Sequence, residues 1–98
     1  MSVSAKYLAS VKKDLRVSHV ESDEEIIDLI EACRKELKIS GITSSKIIDE
    51  EDTLIKRAVK TYCKANFGFE NPDMEKLTES YELLKKHLCL STEYITEV

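Results

Sequence analysis

Two glycines and one proline in 98 residues leave this chain few places to turn. The stretches between them are rich in Glu, Lys, Leu and Ile, a composition that favours helices. With 42% hydrophobic and 35% charged residues, the balance is that of a globular domain, not of a disordered or repetitive chain. A single domain spanning 1–98 is expected, with a core large enough to be stable but not generous. The expected fold class is all-α: a compact bundle of about four helices, with residues 88–98 as an extended C-terminal tail.

Apolar spacing places the four helices. Leu8, Val11 and Leu15 recur at intervals of three and four over Ser4 to Arg16. After the linker "VSHVES", Ser22 precedes Glu25 by the spacing of a capping box. Asp23, Glu24 and Glu25 then fill a first turn that favours negative charge. The second helix runs to Leu37 or Lys38, with Ile26, Leu29, Ile30, Cys33 and Leu37 in an arc of roughly 100°. Ile27 lies off that arc, and Gly41 is the stop. Residues 39–52, "ISGITSSKIIDEED", have no helical period; Ile42, Ile47 and Ile48 make them a packed loop.

A third helix is expected from Glu51 to Phe67, capped by Asp49 or Asp52. Leu54, Ile55, Ala58, Val59 and Tyr62 cover one of its faces, and Lys56, Arg57, Lys60 and Lys64 cover the other. Gly68 ends it, Phe67 and Phe69 lock the bend, and Asn71 and Pro72 open the fourth helix as N-cap and first residue. Met74, Leu77, Tyr81, Leu84 and Leu88 form the last stripe. The residues expected to be buried are Leu8, Val11, Ile26, Ile30, Cys33, Leu54, Ala58, Tyr62, Leu77, Tyr81 and Leu84.

Little in the chain suggests catalysis. A net charge of −4 disfavours a dedicated nucleic-acid binder. No run has signal-peptide character, and none approaches the ~20 apolar residues of a membrane span. Cys33, Cys63 and Cys89 are odd in number, widely spaced and without a Cys-x-x-Cys pair, so they read as free packing thiols in a reducing cytosol. His19 sits in a linker and His87 complements a helix C-terminus beside Lys85 and Lys86. Cys63, His87 and Cys89 match no recognised zinc pattern, and no motif supports a Cys63–His87 nucleophile. The acidic runs "ESDEE" and "DEED" start helices and lack the central glycine of a calcium loop. No glycine loop cradles phosphate. The expectation is no enzyme, no cofactor and no metal.

The stretch "TYCKANFGFENPDMEKL", residues 61–77, is a helix–turn–helix corner. A DNA reader built on it would bring Glu70, Asp73 and Glu75 to the phosphates with the wrong sign. A small helical DNA-binding or regulatory protein using this corner is therefore the second reading.

The first reading comes from a resemblance. "YLASVKKDLRV" resembles the opening segment of the small phage head–tail connector (adaptor) family, and "SDEEIIDLIEACRKEL" resembles its acidic-capped second helix. "DTLIKRAVKTYCKANFGFENPDMEKLTESYELLKKHLCLSTEY" is similar to the branch found in DNA-packaging proteins of phages and prophages of Gram-positive bacteria. Residues 39–51 match nothing in the pattern. The resemblance implies an all-helical, non-catalytic protomer in a ring of about a dozen subunits below the portal. Its implied partners are further copies of itself, the portal protein, the next tail-side connector or tail protein, and DNA passing through the channel without sequence-specific binding. No membrane is involved, and the implied location is the head–tail junction of the virion, after assembly from the host cytoplasm.

A ring needs two different, complementary faces on each subunit. Lys56, Arg57, Lys60 and Lys64 are the candidates for one. Glu24, Asp28 and Glu31 are the candidates for the other, and Leu83 is an apolar residue stranded off its core stripe, as is Ile27. In the tail, "CLSTEYITEV", Leu90, Tyr94 and Ile95 either fold back on their own subunit or form an arm that anchors on a neighbour.

Overall fold

The computed structural model describes residues 3–68 and 71–96. Phe69 and Glu70 of the expected corner lie outside the described residues, as do Glu97 and Val98. The described residues form six α-helices: α1 (Ala5–Leu15), α2 (Asp23–Ile39), α3 (Ser44–Ile47), α4 (Thr53–Asn66), α5 (Met74–Cys89) and α6 (Thr92–Ile95). A 3-10 turn, Val20–Ser22, leads into α2. The fold is all-α as expected, with four long helices and two single-turn ones that the periodicity did not reveal.

Helix α4 is the centre, packed by α1, α2 and α5. Helix α1 runs alongside it, with Asp14 3.7 Å from Lys64 near their C-terminal ends. Helix α2 returns antiparallel to α1, tied by the Lys12–Asp23 ion pair at one end and by Arg34 stacked 5.3 Å from the Tyr7 ring centre further along. Helix α5 runs antiparallel to α4, where Tyr62 and Tyr81 meet edge to face at 5.1 Å. This leaves α2 and α5 parallel, with Cys33 against Tyr81, Glu36 3.1 Å from Lys85, and the Cys89 thiol donating to the Ser40 carbonyl.

The core follows the stripes. Tyr7 and Val11 of α1, Ile26, Ile30, Cys33 and Leu37 of α2, Ile55, Ala58, Val59 and Cys63 of α4, and Tyr81 and Leu88 of α5 are buried in one cluster. Leu8, Tyr62 and Leu84 are half-buried at its margin, and Leu77 is half-buried as well. Leu54, expected inside, is exposed. It lies about 100° around the helix from Ile55, at the edge of the stripe and in the first turn of α4.

Several ends differ from the reading of the sequence. Ser22 makes no capping bond, because the preceding 3-10 turn has already set its backbone in the helical region (φ −91°, ψ −6°). Asn71 is not the N-cap of α5. Its side chain accepts from the Asp73 amide and donates to the Lys64 carbonyl, so it pins the turn to α4, and the helix starts at Met74. Asp52 resolves the other ambiguity, since its Oδ1 accepts from the amides of both Leu54 and Ile55. Gly41 and Gly68 take φ of 107° and 86°, left-handed turns that an L side chain would strain.

Residues 39–52 are more than a packed loop. Ile42, Thr43 and Ile47 are buried, and α3 forms within the segment. Glu50 accepts from the amide and hydroxyl of Ser4 and lies 3.6 Å from Arg34, holding the start of α1. Burial pulls the Glu50 carboxyl up, yet the Ser4 bonds and the Arg34 charge outweigh it and leave it below its ordinary value. Thr43 donates its amide to the Tyr94 carbonyl at 2.8 Å, Lys46 reaches Glu93, and the Tyr94 hydroxyl donates to Asp52. The tail is therefore not extended. It turns at Ser91, forms α6 and folds back, with Tyr94 only 6% exposed.

Two expectations follow. Ile30→Ala should cost about 2–5 kcal/mol and Leu54→Ala no more than about 0.5 kcal/mol in denaturant titration, because only the first empties a packed site. Tyr94→Phe should cost about 1.5–3 kcal/mol by removing a bond to a carboxylate. Burial first, and then the bond to Asp52, push the Tyr94 hydroxyl from 10.0 up to about 12. Between those values the unfolded chain holds fewer protons than the folded one, so stability is full below pH 10.0 and falls as pH rises toward about 12. Tyr94→Phe should flatten part of that fall; Tyr7, also raised to about 12, accounts for another part.

Candidate functional site

The helical period sends the apolar positions of α4 inward and leaves Lys56, Arg57, Lys60 and Lys64 on the far side. These residues line an open groove closed on one side by α1 and on the other by α5, with Leu77 and Ser80 along its wall. Helix α1 adds two cations that sequence reasoning missed, Lys13 and Arg16. Arg16 ends α1 in a left-handed conformation (φ 60°), a geometry that periodicity does not signal. Asp14 neutralises Lys64 in part. Among the described residues, no carboxylate lies within 4 Å of Lys56, Arg57 or Lys60, and three cations therefore stand together unpaired.

The acidic candidates lie elsewhere. Glu24, Asp28 and Glu31 are exposed on the side of α2 turned away from the core, and none forms an ion pair among the described residues. Ile27 stands among them, half-buried. Basic and acidic rows thus occupy separate faces, and the fold does not join them internally.

The apolar candidates divide. Leu83 is 60% exposed on α5, Leu90 is 78% exposed just beyond it, and Ile95 of α6 is partly exposed. Tyr94 is committed to its own subunit through Thr43, Lys46 and Asp52, and a reading of it as a free anchor is corrected accordingly. Ile39, 77% exposed at the end of α2, escaped notice because the expected helix stopped before it. With Ile47 and Ile48 it forms an apolar groove rimmed by Glu31, Lys35 and Lys38.

The buried polar groups have packing roles. Desolvation raises the Cys33 and Cys63 thiols to about 12, the opposite of what a nucleophile or metal ligand needs. Among the described residues, no three His, Cys, Asp or Glu side chains are grouped to hold a metal ion, and no helix is long and apolar enough to cross a membrane. Helices α4 and α5 flank the 61–77 corner and pack against each other, with Tyr62 against Tyr81.

A family model described as "Phage connector protein" matches residues 7–95. No match was found among curated proteins or among solved structures.

Proposed function

The chain belongs to the phage connector protein family, a structural family of the virion, and from that premise we propose that its subunits close into a ring of about a dozen below the portal. DNA passes through the ring without sequence-specific binding. The portal lies on one side and the next connector or tail protein on the other, at the head–tail junction, and subunits assemble there from the host cytoplasm.

One observation supports the ring above the rest. The unpaired cations of α4 and the unpaired carboxylates of α2 lie on different faces of one rigid bundle. A head-to-tail contact needs two unlike surfaces, and these two are complementary in charge. Glu24, Asp28 and Glu31 of one subunit then meet Lys56, Arg57 and Lys60 of the next, and Lys64 contributes less because Asp14 already holds it. Leu83, Leu90 and Ile95 supply exposed apolar surface for the same contact or for the portal. Nothing in the geometry favours the DNA-reading alternative, whose second helix opens with Asp73 and Glu75.

The test is electron microscopy of the protein mixed with its portal. Wild-type protein should give rings on the portal, and Lys56→Glu with Lys60→Glu should reduce ring occupancy at least about tenfold, since like charges across a contact are strongly disfavoured. Glu24→Lys with Asp28→Lys in the same chain should restore it. Unchanged occupancy in the double reversal would remove α4 from the contact.

A further inference from the structure

The exposed side of α2 has an order of its own. Glu24, Ile27, Asp28, Glu31, Lys35, Lys38 and Ile39 fall within an arc of roughly 120° at about 100° per residue, opposite the buried stripe. All are exposed except Ile27, which is half-buried. Along this face the first half is acidic and the second half is basic. The helix dipole explains such an order at the first and last turns only, whereas Asp28, Glu31 and Lys35 sit in the middle. Local pairing does not explain it either. Glu31 and Lys35 have the spacing of a helical ion pair, yet among the described residues no ion pair involves Asp28, Glu31, Lys35 or Lys38. Lys38 bonds instead to the Ser44 hydroxyl.

We infer that this face is self-complementary and pairs with the same face of a second copy, α2 against α2, antiparallel about a two-fold axis. The register is given by the residues themselves. Setting Glu31 against Lys35 also sets Asp28 against Lys38. The two-fold axis repeats each contact, giving four ionic pairs from one helix face, with Ile27 and Ile39 on its opposite margins. Ile39 is 77% exposed in the single chain and flanks this register. Its neighbours Ile47 and Ile48 continue the apolar floor onto α3, which widens the contact beyond the helix itself.

The surface is small and its ion pairs are exposed, so the dimer is weak and salt-sensitive. It does not rest on the ring reading, because it needs only the isolated chain. It does claim Asp28 and Glu31, which the ring contact also uses. Dimer and ring therefore exclude each other at that face, and the dimer is a form of the free protein that must open before assembly.

The experiment is sedimentation equilibrium of the full 98-residue chain at low and high salt. Wild type should show a monomer–dimer equilibrium that weakens with added sodium chloride. D28K/E31K makes the face wholly basic and K35E/K38E makes it wholly acidic; each alone should dimerise at least about tenfold more weakly. Mixed together they should recover a one-to-one heterodimer, scored by native mass spectrometry. That recovery also shows that both variants are folded. A wild type that stays monomeric at every concentration, variants that dimerise like wild type, or a mixture that remains monomeric would each overturn the inference. The ring reading would survive any of these results, since Lys56 and Lys60 take no part in the dimer and ring formation is scored on the portal.

Discussion

The carboxylate of Asp52 joins the start of α4 to Tyr94 of α6. Its Oδ1 accepts from the second and third amides of α4, and both of its oxygens receive the hydroxyl of Tyr94. A cap of this kind contributes about 0.5–2 kcal/mol, and a bond to a charged acceptor about 1.5–3 kcal/mol. Their placement matters more than their sum. Helix α4 is the member that α1, α2 and α5 all pack against, so the residue that starts it sets the position of the bundle's axis. The same residue holds the end of the chain, and Glu50, two positions earlier, holds its beginning through Ser4. One short segment thus closes a bundle that is otherwise held by apolar stripes.

The stripes were legible because a buried helix face has a period, and a period survives without knowledge of the partner. Ile26, Ile30 and Cys33 announce one another at spacings of three and four, as do Ala58 and Tyr62. The clasp has no such signal. Glu50 meets Ser4 and Asp52 meets Tyr94 across more than forty positions, and each pair looks in isolation like an ordinary capping or solvated residue. Arg34 is the clearest case. As a cation in the last turns of α2 it was unremarkable, yet it is almost fully buried, stacked on Tyr7 and drawn toward Glu50. Its burial depends on where α1 crosses, which is a tertiary fact. The Ser22 cap failed for a local reason: the right spacing was present, but the 3-10 turn had already taken the backbone out of the capping conformation.

The candidate surface was partly legible for the opposite reason. A helix of a small bundle must keep its charges outside, so the basic side of α4 and the acidic side of α2 could be placed from the pattern alone. The sequence was silent on which charges the fold would neutralise. Asp14 takes Lys64, Asp23 takes Lys12 and Glu36 takes Lys85, whereas Lys56, Arg57, Lys60, Asp28 and Glu31 have no ion-pair partner among the described residues. The tail erred in the same way. Leu90, Tyr94 and Ile95 look equivalent as apolar residues near a terminus, but only Tyr94 carries a hydroxyl that can reach Asp52. It is buried, while the other two remain available.

A subunit of the proposed ring faces a physical conflict that this distribution of charge would help to resolve. In that proposal it has to be sticky enough to assemble on a portal and reluctant enough not to assemble before meeting one. Exposed apolar surface alone serves the first need and fails the second, since it is non-directional. Charged rows behave differently, because their contribution is modest pair by pair and becomes large only when a whole face is in register. On α2 the acidic half can be satisfied by the basic half of a second α2 or by the basic side of a neighbouring α4, but not by both at once. A weak self-pairing that occupies the same carboxylates lowers the concentration of assembly-ready chains without removing them. In the proposed ring, a template that presents many subunits side by side would make the α4 contact effectively intramolecular, and that gain would tip the shared carboxylates from the proposed dimer to the ring.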